Sequence, residues 1–200
     1  MNSIWVNRSL GIDPATGNEL FVDRNGGIVS DWSSANYVIG GCTDPKVEGT
    51  FGTNFTWKGL SLNMTFRYRI GGQMYNQTLV DKVQDIDPRY NADKRAFEQR
   101  WQKPGDQVRF AAFSEDSQGI NIGYRTKPTS RFVEDYNYLE LATLNIAYEF
   151  GTAKLQRCGI KRLKAMFYMN DVFHASNVKQ ERGIDYPFAR NFSIGLQARF

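Results

Sequence analysis

The chain alternates hydrophobic and polar residues in several separate runs. In the clearest, 60–70, Leu60, Leu62, Met64, Phe66, Tyr68 and Ile70 oppose Ser61, Asn63, Thr65, Arg67 and Arg69. Successive side chains on a strand point to opposite faces, so this run predicts a strand with one oily and one wet side. The last ten residues repeat the pattern: Phe192, Ile194, Leu196, Ala198 and Phe200 stand against Asn191, Ser193, Gly195, Gln197 and Arg199. That length suits a tilted strand crossing a bilayer, about 9–11 residues, although a soluble sandwich can end in the same way. Further strands are expected at 50–58 (Phe51, Phe55 and Trp57 on one face), 142–150 (Ala142, Leu144, Ile146, Tyr148, Phe150) and 163–169 (Leu163, Ala165, Phe167, Met169). Ile4, Val6, Leu10 and Ile12 suggest a first strand, interrupted by Arg8. Leu139 and Leu141 fall on the parity opposite to 142–150, which requires either a bulge or an exit from the membrane.

The connections between these runs differ in kind. Asp13-Pro14-Ala15-Thr16-Gly17 reads as a turn leading to a short return strand at 20–22, and 23–44 reads as loop. Lys58-Gly59 is a tight turn. Gly71-Gly72 opens a long polar insertion to 136, of a length usually reserved for function. Within it Asn91 is placed to cap a helix running through Lys94, Phe97 and Trp101, with Asp93 in its first turn and Pro104-Gly105 ending it. The stretch 151–161 is a short basic connection and 172–190 another loop. Long and short connections thus alternate, as they do on the two rims of an outer-membrane barrel.

Composition sharpens this picture only in places. The mean hydropathy of −0.51 and the lack of a spanning apolar run exclude transmembrane helices, but barrels show no such run. The 25 basic and 21 acidic residues are intermixed, which gives no basis for a nucleic-acid partner. MNSIWVNRSL has neither the basic nor the apolar region of a secretory signal. Cys42 and Cys158 match no metal spacing; pairing and free thiols are both open. His174 is the only histidine, which excludes His clusters, and it reads as a solvated loop residue. Asp85, Asp87, Asn91 and Asp93 resemble a calcium loop only loosely, because Pro88 interrupts them. Asp81, Glu98 and Glu140 read as solvated loop charges rather than an acid/base pair. Lys94, Arg95, Arg100 and Lys103 read as a salt-bridged surface helix rather than a nucleic-acid contact. No catalytic, cofactor-binding or metal-ligating set emerges, and no enzyme is expected.

Four stretches resemble the SusC/RagA-type TonB-linked outer-membrane transporters: DPKVEGTFGTNFTWKGLSLNMTF (44–66), NADKRAFEQRWQKPGD (91–106), SRFVEDYNYLELATLNIAYEF (130–150) and ERGIDYPFARNFSIGLQARF (181–200). GIDPATGNELF near the start fits as well. The resemblance covers nearly the whole chain and corresponds to the C-terminal part of such a protein. It implies an all-β fold: an antiparallel transmembrane β-barrel segment of about six spanning strands, with long extracellular loops, one holding a short helix. The parent barrel is of the roughly 22-stranded, plugged type. Residues 1–200 carry no plug domain and no signal peptide, and six strands fall short of the about eight that close the smallest membrane barrels. The implied role is part of a nutrient importer for oligosaccharides or peptides in the outer membrane of a Gram-negative bacterium. Implied partners are outer-membrane lipids, the remainder of the barrel and plug, a SusD-like surface lipoprotein and the TonB complex. Leu62, Met64, Phe66 and Tyr68 would then face lipid, and Arg67 and Arg69 the lumen. Phe200, Phe192, Ile194 and Leu196 would form the barrel-assembly signal. The rival reading is a soluble all-β ligand-binding module. An outer-membrane enzyme is disfavoured by the missing nucleophile–base pair.

Overall fold

The computed structural model describes residues 2–90, 92–116, 119–120, 125–151, 159–179 and 190–200. In chain order the strands are β1 (Ser3–Ile12), β2 (Glu19–Val22), β3 (Ile28–Val29), β4 (Tyr37–Cys42), β5 (Val47–Trp57) and β6 (Leu60–Ile70). They continue as β7 (Gln73–Tyr75), β8 (Glu115–Asp116), β9 (Gly119–Ile120), β10 (Val133–Asp135), β11 (Tyr138–Phe150), β12 (Arg162–Ser176) and β13 (Phe192–Arg199). Two short helices, α1 (Gln77–Leu79) and α2 (Arg95–Glu98), lie between β7 and β8. No described helix is long and apolar enough to cross a membrane.

These elements form two compact units. The first collects 1–44, 72–135 and 178–186; the second collects 45–71, 136–177 and 187–200. The long connections therefore fold together as a unit instead of remaining separate loops.

In the first unit a four-stranded sheet runs β3-β2-β1-β4, all antiparallel. The expected strand at 4–12 forms here, outside the long sheet. Val6 and its neighbour Asn7 are both fully buried, so β1 is covered on both faces, which a strand with one wet side cannot be. Its turn follows the sequence: the Asp13 carboxylate accepts from the Ala15 amide and the Thr16 hydroxyl, and Gly17 adopts φ 74°. Strand β4 is an addition to the expected loop; Gly40-Gly41 and a register shift opposite Ile4 and Trp5 hide its alternation. The core of this unit is Leu79, Val80, Val83, Ala96, Phe110 and Phe132. Asn76 caps α1 by accepting from the Leu79 amide at 3.0 Å.

Helix α2 is shorter than expected. Asp93 still holds its start, accepting from the Arg95 amide at 2.9 Å, while the expected cap Asn91 lies outside the described residues. The helix stops at Glu98 because the next residues pair elsewhere: the Phe110 amide donates to Gln99 and the Trp101 amide to the Phe110 carbonyl. Trp101 instead donates from Nε1 to the Pro14 carbonyl, against the Asp13–Gly17 turn.

The second unit is one five-stranded antiparallel sheet in the order β13-β12-β11-β6-β5, an up-and-down meander. Its tight hairpin is Lys58-Gly59, with φ 44° and 88° and Trp57 paired to Leu60. Positive φ at both central residues is the type I′ geometry that matches strand twist. The parity conflict at 139–142 resolves as a bulge. Leu141 pairs with Phe66 and Phe173, whereas Thr143 pairs with Thr65 and Asn170. Ala142 is thus the extra residue relative to β6, and β12 carries a further one beside Asp171, whose φ is 48°. Past this irregularity β12 continues to Ser176, so 172–176 is strand and not loop.

Candidate functional site

The two faces of the five-stranded sheet are chemically opposite. Residues paired directly across antiparallel strands share a face, so the registers define each face row by row. Phe55, Leu62, Ile146, Phe167 and Ile194 form one row; Thr53, Met64, Leu144, Met169 and Phe192 form the next. Above the bulge, Phe51, Phe66, Leu141 and Phe173 continue the same face, followed by Tyr68, Leu139 and Ala175. The bulge at Ala142 is what returns Leu139 and Leu141 to this side. Phe51 and Phe66 stack at 4.9 Å between ring centroids, and Phe173 meets Phe66 edge-on at 6.5 Å. The face is left open: Phe55 and Trp57 are more than half exposed, and Ile194 and Leu196 more than 70%. Leu62, Met64, Phe66 and Tyr68, on a central strand, are half-buried among their neighbours.

The opposite face carries Asn54, Asn63, Asn145 and Tyr168 in one row, and Arg67, Glu140 and His174 in another. Glu140 sits between Arg67 at 3.5 Å and His174 Nδ1 at 3.5 Å, and His174 lies against the Tyr138 ring at 5.1 Å. Glu140 and His174 are therefore strand residues of the sheet, which corrects their assignment as solvated loop charges. The sequence hid this because the bulge at Ala142 reverses the parity at 140, and the extra residue near Asp171 breaks the alternation before 174. Arg69 stands over the Tyr136 ring on the same face, and Glu149 pairs with Arg162 at 2.9 Å. In β13, Phe192, Ile194 and Leu196 lie on the apolar face; Phe200 follows the last paired residue and is 74% exposed.

The remaining charged residues singled out by sequence fall in the first unit, most of them with a partner of their own. Asp87 pairs with Arg89 at 2.7 Å, Arg95 with Asp93 at 2.7 Å, and Lys94 with Glu98 at 3.9 Å. Asp81 accepts from Gln77, and Asp85 from the Thr126 amide and hydroxyl. The carboxylates of the supposed calcium loop are turned to separate partners. The Arg95 contact holds the Asp93 carboxyl well below the ordinary carboxylate range, while burial raises that of Asp85. Cys42 is exposed and free; Cys158 lies outside the described residues.

Arg100 is the residue that sequence reasoning placed wrongly. It is not a surface helix cation but 3% exposed. Its Nε donates to the Ala96 carbonyl, Nη1 to Ala111, and Nη2 to both Val83 and Gln84, at 2.6–2.9 Å. The guanidinium also lies 4.1 Å over the Phe113 ring. Burial lowers its pKa to about 10, so it stays charged at neutral pH. A second arginine, Arg131, is sealed nearby against Glu19 at 2.8 Å. Together they fix the chain segments that make up this unit.

No family model matches the chain. In sequence it is 25% identical to the TonB-dependent receptor P3 of Formosa agariphila over 218 aligned positions, which take in 96% of this chain and 20% of that protein. In fold it matches the RagAB peptide transporter with a TM-score of 0.69 at 19% identity, covering 98% of this chain and 22% of that one. The RagAB peptide importer in its open-open state matches with a TM-score of 0.70 at 19% identity, over 99% and 22% of the two chains. The chain thus spans about a fifth of the length of the proteins it matches.

Proposed function

We propose, from the chain's place in the SusC/RagA-like TonB-dependent transporter family, that its five-stranded sheet is a length of outer-membrane barrel wall in a nutrient importer. The observation that carries this reading is the uncovered apolar face. A soluble sandwich buries such a face under a second sheet about 10 Å away; here its edge strands remain open. Lipid satisfies that face, while Arg67, Glu140 and His174 need the polar lumen behind it. Leu62, Met64, Phe66 and Tyr68 are assigned to lipid, Arg67 and Arg69 to the lumen. Phe192, Ile194, Leu196 and Phe200 serve as the signal read by the insertion machinery.

On this reading residues 1–200 form the C-terminal barrel segment, and the rest of the barrel and the plug flank the sheet edges. The Lys58-Gly59 hairpin lies at the periplasmic rim; the 151–161 connection, also expected there, lies mostly outside the described residues. The first unit, made of the long connections, is extracellular, where it meets cargo and a SusD-like surface lipoprotein. Energy reaches the barrel from the TonB complex. The cargo is an oligosaccharide or a peptide, and the chain performs no catalysis.

Spin labels at positions 66 and 67, on a background with Cys42 and Cys158 replaced by serine, test the assignment in the membrane-inserted protein. The label at 66 should relax with lipid-soluble oxygen, and the label at 67 with an aqueous paramagnet. If both respond to the aqueous reagent, the wall reading fails.

A further inference from the structure

The apolar face of the five-stranded sheet is not uniform. Beside the stacked rings of Phe51 and Phe66 it sinks into a trough of about 680 Å³, within the about 300–1,000 Å³ found for small-molecule sites. The next row, Gly49, Tyr68, Leu139 and Ala175, accounts for the step. Its outer members, Gly49 and Ala175, are small. The Tyr68 ring lies over Gly49, where an added Cβ would sit 3.0 Å from the phenol oxygen. Leu139 and Ala175 remain as an exposed floor. From the Phe51 row to the Ile70 row is roughly 14 Å along the strands, close to the roughly 15 Å of hydrocarbon in one leaflet.

Polar groups meet this trough at one end only, where β6 gives way to Gly71 at φ 74°. The Lys46 stem packs against Gly71 so closely that a Cβ there would lie 2.8 Å from its Cγ. The Gly71 amide donates to Asn137 Oδ1 at 2.6 Å, which fixes the carboxamide and leaves its Nδ2 donors for another partner. Neither Lys46 Nζ nor Asn137 Nδ2 is hydrogen-bonded or ion-paired to other described residues. Glu48, the first acid along β5, stands in register with Arg69 on the opposite face. One glycine thus brings a cation and an amide donor together at the end of an oily channel.

This asymmetry selects the occupant. Lipid tails are as apolar as leucine, so a preference for one lipid has to come from shape and from the polar end. A docked protein is ringed by a polar rim, whereas this lining is polar at one end alone. A lysine whose stem lies along the protein carries its charge to the interface, where it attracts anionic headgroups.

We infer that the trough seats one acyl chain of an anionic lipid, whose phosphate is bound at the Gly71 end by Lys46 and Asn137. The inference rests on the wall reading, which turns this face to lipid, and goes beyond it by assigning one lipid to one place.

The test is titration of the full chain in detergent with phosphatidylglycerol and, separately, phosphatidylcholine, with bound lipid counted by native mass spectrometry. One phosphatidylglycerol per chain should bind saturably, well ahead of phosphatidylcholine. Lys46→Gln should weaken it about five-fold, the worth of one lysine at a membrane surface. Lys46 is exposed, so this variant should keep the parent thermal midpoint. Ala175→Trp, which fills the floor, should abolish binding, and Lys58→Gln, at the opposite end of β5, should leave it unchanged. Equal affinity for the two lipids, unchanged affinity in Lys46→Gln, or an equal loss in Lys58→Gln would each overturn the proposal. So would a lipid-free dimer that Ala175→Trp dissociates, which gives the trough to a second copy. The label at position 66, read in vesicles, separates the two readings. Lipid contact at 66 without preference for phosphatidylglycerol removes the trough site alone, whereas an aqueous response at 66 removes the wall and the trough site together.

Discussion

Replacing Arg100 with methionine keeps most of the side-chain stem and removes the guanidinium. Four carbonyls then lose their donor, at Val83, Gln84, Ala96 and Ala111, and the first three residues are buried. Each stranded buried acceptor costs about 1–3 kcal/mol, but the costs do not add fully, since water or a small shift relieves part of them. The loss is also offset by releasing a buried cation, whose desolvation is what lowers its pKa. We expect a net destabilisation of about 3–5 kcal/mol, in the range that follows breaking a buried charged network. Arg100→Lys should lose roughly half as much, because one ammonium cannot span carbonyls set around a planar fork. Hydrogen exchange at the Trp101 and Phe110 amides, which close the neighbouring backbone pairs, reads this locally. Protection should fall by two orders of magnitude or more in the methionine variant, at about 1.4 kcal/mol per decade. A fall of less than about five-fold, the effect of a surface ion pair, would refute the bracing role.

Four further outcomes follow from the geometry. Phe66→Arg should destabilise the membrane-inserted sheet by about 2–4 kcal/mol, whereas Arg67→Phe, which gives up an exposed pair with Glu140, should cost no more than about 1 kcal/mol; unfolding in vesicles measures both, and equal losses contradict the face assignment. Deleting Phe200 should sharply reduce the amount of heat-modifiable barrel in the outer membrane, and unchanged assembly removes it from the insertion signal. Gly59→Ala places a Cβ 2.7 Å from the Glu149 carbonyl at φ 88° and should cost about 1–2 kcal/mol or more, seen as faster exchange at the Glu149 amide. Asp93, with its carboxyl pKa depressed by Arg95, contributes stability above its unfolded value of 3.8 that is lost as pH falls through its lower folded pKa; Asp93→Asn should flatten that acid limb in a pH series of thermal midpoints.

Alternation exposes the long sheet in the sequence because each of its strands carries its own period-two signal. Leu60 to Ile70 needs no distant residue to reveal which side is oily. The same signal failed where a strand changes step. Glu140 reads as a loop charge because the bulge at Ala142 reverses the parity before it, and His174 because the extra residue near Asp171 shifts the count; only the strand pairing restores both. Strand β1 misled for another reason: its alternation is real, yet Val6 and Asn7 are both enclosed by segments far away in sequence. The core of the first unit was invisible because Leu79, Phe110 and Phe132 come from separate stretches with no shared period. Arg100 looked like its neighbours Arg95 and Lys103, and nothing local distinguishes a buried arginine from a solvated one. A cleft of the first unit lined by Trp32, Asp85 and Lys127 is likewise hidden, since these residues meet only in the folded chain.

The assembly of the long connections around one core has a consequence for inheritance and engineering. Residues 1–44, 72–135 and the stretch from Val178 form a single discontinuous cassette. Exchanging one of these stretches between related chains breaks shared contacts such as Asn7 to Pro128 and Arg131 to Glu19, so a single-loop chimera should misfold. Moving all the stretches together preserves them, with graft junctions at Asp44, Gly72, Asp135 and Val178 among the described residues. Recombination that respects those junctions exchanges the first unit as a whole without altering a strand of the five-stranded sheet.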